Sequence, residues 1–400
     1  MEKAKPKIVC MVTTDHSPLD DRIYYKECLS LLQAGFVVHI ICHADPSGKV
    51  FDMGGKKQVN ENGELEWTEN GVYIHAIKRV NTFWQKLLNK ILLSNYYNEI
   101  VAKGRSLNAD VYHAHEPTSL FLAQKIAKGS KAKVIFDSHE SWRGGSIREQ
   151  IIKWICLPKL KYLITANLIT RGALLHSNRA LETEVIYNFA HPKFFPYQHD
   201  DAKYNYPIIV HDGYIPFNRG LKQMVEAIKL LKPEYPNIKF RILGETRGDE
   251  KKYLYDFIQA HNLQENIEET GWKDYLSIGK YLSDCSIGLI TKTPTPNNIL
   301  GGPAIKLFHY LHYGMAVIDN NLPESSYFLN ISKSGISLKE RNPQDLYIAI
   351  KILLNNKELL KKYGNNSLAF SQSHNWYSEE KKLIEFYFQV VLNIDSIIIR

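Results

Sequence analysis

The 400-residue sequence predicts an α/β protein built as two Rossmann-like domains in series, each a parallel sheet with helices on both faces. Three observations carry that expectation. Short apolar runs of strand length alternate with helical patterns twice along the chain. No apolar run reaches the roughly 18 residues a membrane span needs. The length also exceeds the roughly 250–300 residues at which a single core stops growing.

The first half reads as strands at 8–12, 37–42, 72–77, 111–113, 133–136, 162–165 and 184–187, with helices near 21–34, 83–103, 118–128 and 147–156. The second half reads as strands at 208–211, 239–243, 266–270, 287–290, 315–318 and 335–338. Its helices fall near 220–232, 250–261, 275–283, 304–313, 343–354 and 357–366. Short apolar strands between helices indicate parallel sheets buried on both faces. The turn-rich, aperiodic stretch 188–206 sets the boundary, giving a first domain over 1–190 and a second over 205–370. A last helical pattern in the 371–400 tail is expected to cross back to the first domain. Open parallel sheets bind ligands at strand carboxyl ends, so an interdomain cleft is the expected reaction site.

Composition is that of a globular protein, 44% hydrophobic and 23% charged. The net charge of +8 is uneven: Lys78 to Arg179 holds 17 Lys or Arg against 6 Asp or Glu. That asymmetry points to an anionic partner for the first half. No nucleic-acid recognition motif accompanies it, so a membrane surface or a phosphorylated substrate fits better. The apolar run 8–12 is too short for a signal peptide and reads as a first strand. Five scattered cysteines suggest reduced thiols and a cytoplasmic protein. No Cys/His spacing resembles a zinc site.

The richest stretch is Gly302-Pro303-Ala304-Ile305-Lys306-Leu307-Phe308-His309-Tyr310-Leu311-His312-Tyr313-Gly314-Met315-Ala316-Val317-Ile318. It reads as loop, helix and buried strand, with Gly314 as the helix stop. Free N–H groups at the start of such a helix suit a diphosphate. Lys306 in the first turn opposes the helix dipole, and an anionic ligand would relieve that conflict. An ordinary amphipathic helix with a solvated Lys is the alternative. This stretch resembles the nucleotide-sugar segment of glycosyltransferase family 4, P-x-K-x-F-E-Y-x-x-x-G-x-P-V-I, through Lys306, Phe308, Tyr310, Gly314, Val317 and Ile318. The family's Glu is His309 here, and the Glu that many members carry eight residues earlier is Gly301. In the family, the Glu replaced by His309 holds the ribose hydroxyls.

Other segments extend the resemblance in order. The segment Asp20-Asp21-Arg22 to Glu27 resembles D-x-R-x-x-x-E, with its Glu one residue later than the pattern: either Asp can cap the helix, and Arg22 would face a ligand anion. His113-Ala114-His115-Glu116 is similar to H-x-H-[ED], where the second His contacts the donor sugar. That role falls to His115, with His113 as support. Asp137-Ser138-His139-Glu140 is similar to D-x-H-E, so Asp137 and His139 are expected on the acceptor side. Gly213 through Gly220 is similar to G-[RY]-x-x-x-x-[KR]-G. Arg219 would bind the donor diphosphate bidentately, while Tyr214 replaces the Arg that many members carry. Gly271 opens a loop that would meet the base through backbone, and Trp272 either stacks on that base or anchors the core. The segment 83–97 is basic and amphipathic, suited to sheet packing or to a membrane surface.

The resemblance implies a GT-B fold and a retaining, metal-independent sugar transfer from a nucleoside diphosphate sugar. No cofactor is expected. Donor-binding residues would be Arg22, Gly213, Arg219, Gly271, Ala304, Ile305, Lys306, Leu307 and His309. His115, Asp137 and His139 would act at the reaction. A glycan or lipid-linked acceptor, contact with an anionic membrane, and a location in the cytoplasm at the inner face of the plasma membrane complete the expectation. Absence of G-x-G-x-x-G disfavours a dinucleotide dehydrogenase. Two alternatives share the fold: an inactive scaffold, suggested by His309 and Gly301, and a nucleotide-sugar 2-epimerase.

Overall fold

Parallel strand order positions everything that matters in this protein. The computed structural model describes residues 5–79, 95–139, 146–302 and 305–392. Its contacts divide the chain into two units: Met1–Tyr187 with Glu379–Arg400, and Asn188–Ser378.

The first unit has an eight-stranded sheet. Its strands are β1 (Ile8–Val12), β2 (Val37–Ala44), β3 (Glu66–Glu69), β4 (Val72–Lys78), β5 (Val111–Ala114), β6 (Lys133–Ser138), β7 (Tyr162–Thr165) and β8 (Glu182–Val185). They lie in the order β3-β4-β2-β1-β5-β6-β7-β8. Seven strands are parallel. The exception is β3, a half-exposed, charged edge strand that pairs antiparallel with β4 around Asn70 and Gly71, both at positive φ. The all-parallel expectation missed it because four residues of Glu-Trp-Thr-Glu carry no buried run. Strand β8 also sits two residues earlier than the pattern suggested. The core packs Cys10, Val12, Tyr112, Leu122, Phe136 and Leu163. From the last helix, Trp376–Leu392, the Tyr387 hydroxyl bonds His113 Nδ1 at 2.5 Å and Glu379 accepts the Tyr187 N–H at 2.8 Å.

The second unit has six parallel strands: β9 (Ile208–Asp212), β10 (Lys239–Leu243), β11 (Ile267–Glu269), β12 (Ile287–Ile290), β13 (Ala316–Asp319) and β14 (Gly335–Ser337). Their order is β11-β10-β9-β12-β13-β14. That is the doubly wound order, which reverses between β9 and β12. Its core gathers Ile209, Met224, Ile228, Phe240, Leu289 and Ile318. Helices Leu168–Ser177 in the first unit and Pro323–Ser332 in the second were not anticipated. The two sheets with their covering helices make an α/β fold.

The basic stretch 83–94 and residues Pro303, Ala304, Glu140 and Arg143 lie outside the described residues. No helix among the described residues is long and apolar enough to cross a membrane. The five cysteines are free and buried.

Candidate functional site

Each sheet reverses direction once, and polar side chains gather at both reversals. In the second unit the reversal lies between β9 and β12. Strand β9 ends in His211 and Asp212, then turns at Gly213, whose φ is +86° and whose N–H donates to Leu243 O at 2.7 Å. Gly244 lies so close that a Cβ there would meet the Gly213 carbonyl at 2.7 Å. Gly220 has φ +92°, and a Cβ there would fall 2.1 Å from Thr291 Oγ1. Glycine is therefore required after Arg219, because β12's last turn occupies the space. The short turn Phe217–Arg219 holds Arg219 half-exposed at the head of helix Leu221–Leu231.

Helix Ile305–His312 brings the side chains of Lys306 and His309 to the same end of the sheet. Lys306 Nζ lies 3.0 Å from His211 Nε2, and a side chain on Gly213 would begin 3.9 Å from that ammonium. Burial pushes Lys306 down to about 7, Asp212 pulls it back up, and the Arg219 and Lys292 charges push it down again. Burial, with the Lys306 and Arg219 charges, also keeps His211 well below the usual histidine range. Neutral His211 thus accepts from the ammonium. A cation held at this cost, beside a second cation, is built to meet a negative group.

Position 309 gives the least expected finding. His309 Nδ1 pairs with Asp212 Oδ2 at 2.8 Å, both side chains nearly buried, and His309 Nε2 has no partner among the described residues. The carboxylate absent from position 309 is present next to it, at the end of β9. Leu307 turns into the core, so only its backbone can serve a ligand, whereas Ile305 is 40% exposed. Gly271 sits at φ +70° after β11, and Trp272 beside it is half-buried with an indole N–H that has no partner among the described residues.

In the first unit the reversal lies between β1 and β5. Glu116, at the end of β5, caps helix Pro117–Ala127 and turns back on the loop after β1. Its carboxylate accepts the Thr13 hydroxyl and the N–H groups of Thr14, Asp15 and His16 at 3.2–3.3 Å. That row of N–H groups is the kind of nest that binds phosphate in related sheets. Here an internal carboxylate fills it.

Beside the nest, helix Asp21–Cys28 has π geometry and Asp20 as its N-cap. The wider turn brings i and i+5 together: Arg22 Nε is 3.0 Å from Glu27, and Lys26 Nζ is 3.0 Å from Asp21. Arg22 also binds Asp137 at 2.6 and 3.1 Å and donates to Ile186 O at 2.8 Å. Arg22, expected to face a ligand anion, is therefore buried and spent on the protein's own carboxylates. Burial and the Asp137 charge raise Glu27, while Arg22 and His139 outweigh burial and hold Asp137 low.

His139 Nε2 lies 3.0 Å from Asp137 and keeps part of its ring exposed. His115 stacks on His113 at 4.5 Å, and neither of its ring nitrogens has a hydrogen-bond partner among the described residues. Burial lowers His115, leaving it neutral. Glu27, His113, His115 and Asp137 present ligand atoms within 4.8 Å of one another, a donor set that suits a divalent cation. Arg22 already supplies the positive charge between the two carboxylates, so a cation would have to displace it.

Residues 198–369 match the family model described as glycosyl transferases group 1. That match falls within the second unit. An uncharacterized glycosyltransferase of Methanocaldococcus jannaschii is 25% identical over 229 residues, 56% of each chain, so this chain is matched over little more than half of that relative. Sucrose-phosphate synthase from Thermosynechococcus elongatus has a similar fold, with a TM-score of 0.75 at 14% identity over 97% of this chain and 100% of that one. Anabaena HepE in complex with UDP gives 0.72 at 13% identity over 95% of this chain and 99% of that one. These neighbours give the chain the GT-B fold.

The second unit thus brings Gly213, Arg219, Lys306 and His309 to one end of one sheet. The first unit gathers His115, Asp137 and His139 at its own. The sequence reading missed His16, Glu116, His211 and Asp212. Glu116 stood in the H-x-H-[ED] pattern without a role, and Asp212 was visible only as the neighbour of Gly213. His16 lies 5.2 Å from the His139 ring. Burial alone would lower it, but Asp20, then Glu116 and Asp15, raise it to about 9. A raised histidine stabilises the folded state fully below its ordinary pKa near 6.5, and that contribution fades as pH climbs through 9. The thermal transition of the first unit should therefore fall between pH 6.5 and 9. His16→Gln should flatten that slope, and melting curves of the two proteins across this range would show it.

Proposed function

We propose that this chain transfers a sugar from a nucleoside diphosphate sugar to a glycan or lipid-linked acceptor. The proposed reaction retains anomeric configuration and uses no metal, and its place is cell-surface polysaccharide synthesis at the inner face of the plasma membrane. The observation that carries the reading is the Lys306 ammonium, half-buried beside the Gly213 turn at the β9–β12 reversal with Arg219 near it. Two cations and the opening N–H groups of helix Ile305–His312 suit the leaving diphosphate, whose developing charge they would stabilise without a metal. Gly271 and Trp272 would border the base. Asp212, held by His309, would supply the carboxylate for ribose hydroxyls. On the acceptor side, neutral His115 would bond a sugar hydroxyl, with Asp137 and His139 shaping that pocket.

The inactive-scaffold alternative loses its main support, since a carboxylate sits within hydrogen-bond distance of His309. HepE is described with UDP and with UDP-glucose, so uridine nucleotides are the first to test. A thermal-shift panel of UDP, GDP, ADP and their sugars, with and without EDTA, should show selective stabilisation by one base, unaffected by chelation. Arg219→Ala should abolish it at the same concentration. No shift with any nucleotide at millimolar concentration would overturn the reading. Conversion of the selected nucleotide sugar without acceptor would point instead to the epimerase.

A further inference from the structure

Helix Ile147–Cys156 opens with a Ser146–Glu149 capping box and buries only Ile152 and Cys156. Its other apolar residues face outward. Ile147 is 82% exposed and Trp154 80%, with Ile151 and Ile155 also exposed. Positions 147, 151, 154 and 155 follow helical spacing, so these four side chains form one stripe. Isolated exposed apolar residues are ordinary, but a contiguous stripe with a tryptophan is a mark of an interaction surface.

The charge around the stripe says which partner fits. Ile155 also lines a cavity of about 700 Å³ whose walls include Phe121, Val134, Leu160 and Tyr162. Five lysines border it, at 125, 128, 133, 159 and 161, and no Asp or Glu lines it. Lys161 pairs with Glu182 at 2.9 Å, whereas Lys125, Lys128, Lys133 and Lys159 make no ion pair among the described residues. The two features are one surface, because helix Pro117–Ala127 packs on helix Ile147–Cys156 and Gln124 donates to Cys156 O at 2.9 Å.

We propose that this surface seats the first unit on an anionic lipid bilayer. Helix Ile147–Cys156 lies in the interface plane with Trp154 and Ile147 at the boundary between headgroups and acyl chains, and the lysines meet the headgroup phosphates. An amphipathic helix with tryptophan on one face and lysines flanking it binds such an interface through apolar burial and charge together. A protein partner would need its own acidic, concave face. A bilayer supplies apolar depth and negative charge over any area. The inference deepens the membrane location proposed above by naming the surface that meets the lipid, a segment other than the 83–97 stretch, and its test does not depend on sugar transfer.

The test is flotation of the full chain with vesicles of phosphatidylcholine alone and with 30% phosphatidylglycerol. Binding to the anionic vesicles should exceed neutral ones at least tenfold and weaken with salt, as exposed charges are screened. The double variant Ile147→Ser/Trp154→Ser should lose at least tenfold in binding. Lys128→Glu/Lys159→Glu should remove the preference for anionic lipid. All these positions are on the surface, so unchanged melting of each variant confirms folding. Equal binding to both vesicle types, no binding by the parent, or full binding by the Ser double variant would overturn the proposal. A parent dimer in light scattering that the Ser double variant disperses would assign the stripe to a second copy instead.

Discussion

Arg22→Met should destabilise the first unit by about 3–5 kcal/mol, the usual cost of leaving a buried charge without its partner. The guanidinium makes two bonds to Asp137, one to the Ile186 carbonyl, and an ion pair with Glu27. Asp137 and Glu27 are both fully buried, so water cannot take over. Asp137, which Arg22 holds low, would then have to take up a proton beside the already raised Glu27 or pull the π-helical turn open. For a unit of this size the melting temperature should drop by roughly 6–20 °C. Arg22→Lys should fall between, because one ammonium cannot reproduce the bidentate fork. Glu27→Gln in the Arg22→Met background should recover part of the loss by removing the acid that competes with Asp137 in the same buried site. The nucleotide binding proposed for the second unit serves as the internal control and should persist at temperatures below the new transition. Calorimetry of the four proteins would decide, and a transition within about 2 °C of the parent would show that Arg22 carries no such burden.

The same residue shows how far the sequence could be read. Asp20-Asp21-Arg22 correctly announced a capped helix after the first strand. It could not announce which anion Arg22 would meet, because Asp137 lies 115 residues away. Nor could it announce π geometry, which appears only in the two i, i+5 pairs. Short buried strands such as β1, β7, β10 and β12 were legible because apolar runs between turn residues leave little choice. Edge strand β3 was not, since it buries almost nothing. In the second unit, the resemblance located the loop from Gly213 to Gly220, with a tight turn at Gly213. The partner that makes Gly220 obligatory, Thr291, is set by tertiary packing. His309 is the clearest case. By itself it looks like a lost carboxylate, and only strand β9 beside helix Ile305–His312 reveals Asp212 in its place. Local chemistry is written locally, while charge pairing is written in the topology.

Lys306 offers the second large effect. Lys306→Met should weaken nucleotide-sugar binding by roughly 10- to 100-fold, the range for one charge-assisted contact to phosphate. The pH dependence separates this from a packing defect. In the free protein Lys306 sits at about 7, chiefly through burial. A diphosphate raises the pKa of an adjacent ammonium, so binding takes up a proton wherever pH exceeds that free value. Affinity should be greatest below pH 7 and fall by up to tenfold per pH unit above it, until the pKa of the bound complex is reached. A nucleotide diphosphate sugar is the right probe, because its phosphates do not titrate in this range whereas the terminal phosphate of a free diphosphate does. Titration calorimetry at pH 7.5 in buffers of different ionisation enthalpy should show net proton uptake on binding. In Lys306→Met the affinity should be lower at neutral pH and flat between pH 6.5 and 8.5, with that uptake gone. Should the parent itself be flat across that interval, the ammonium does not meet the diphosphate. The cost of burying it would then be met by the pairing with His211 and the nearby Asp212 charge, and Arg219 would hold the phosphates without it.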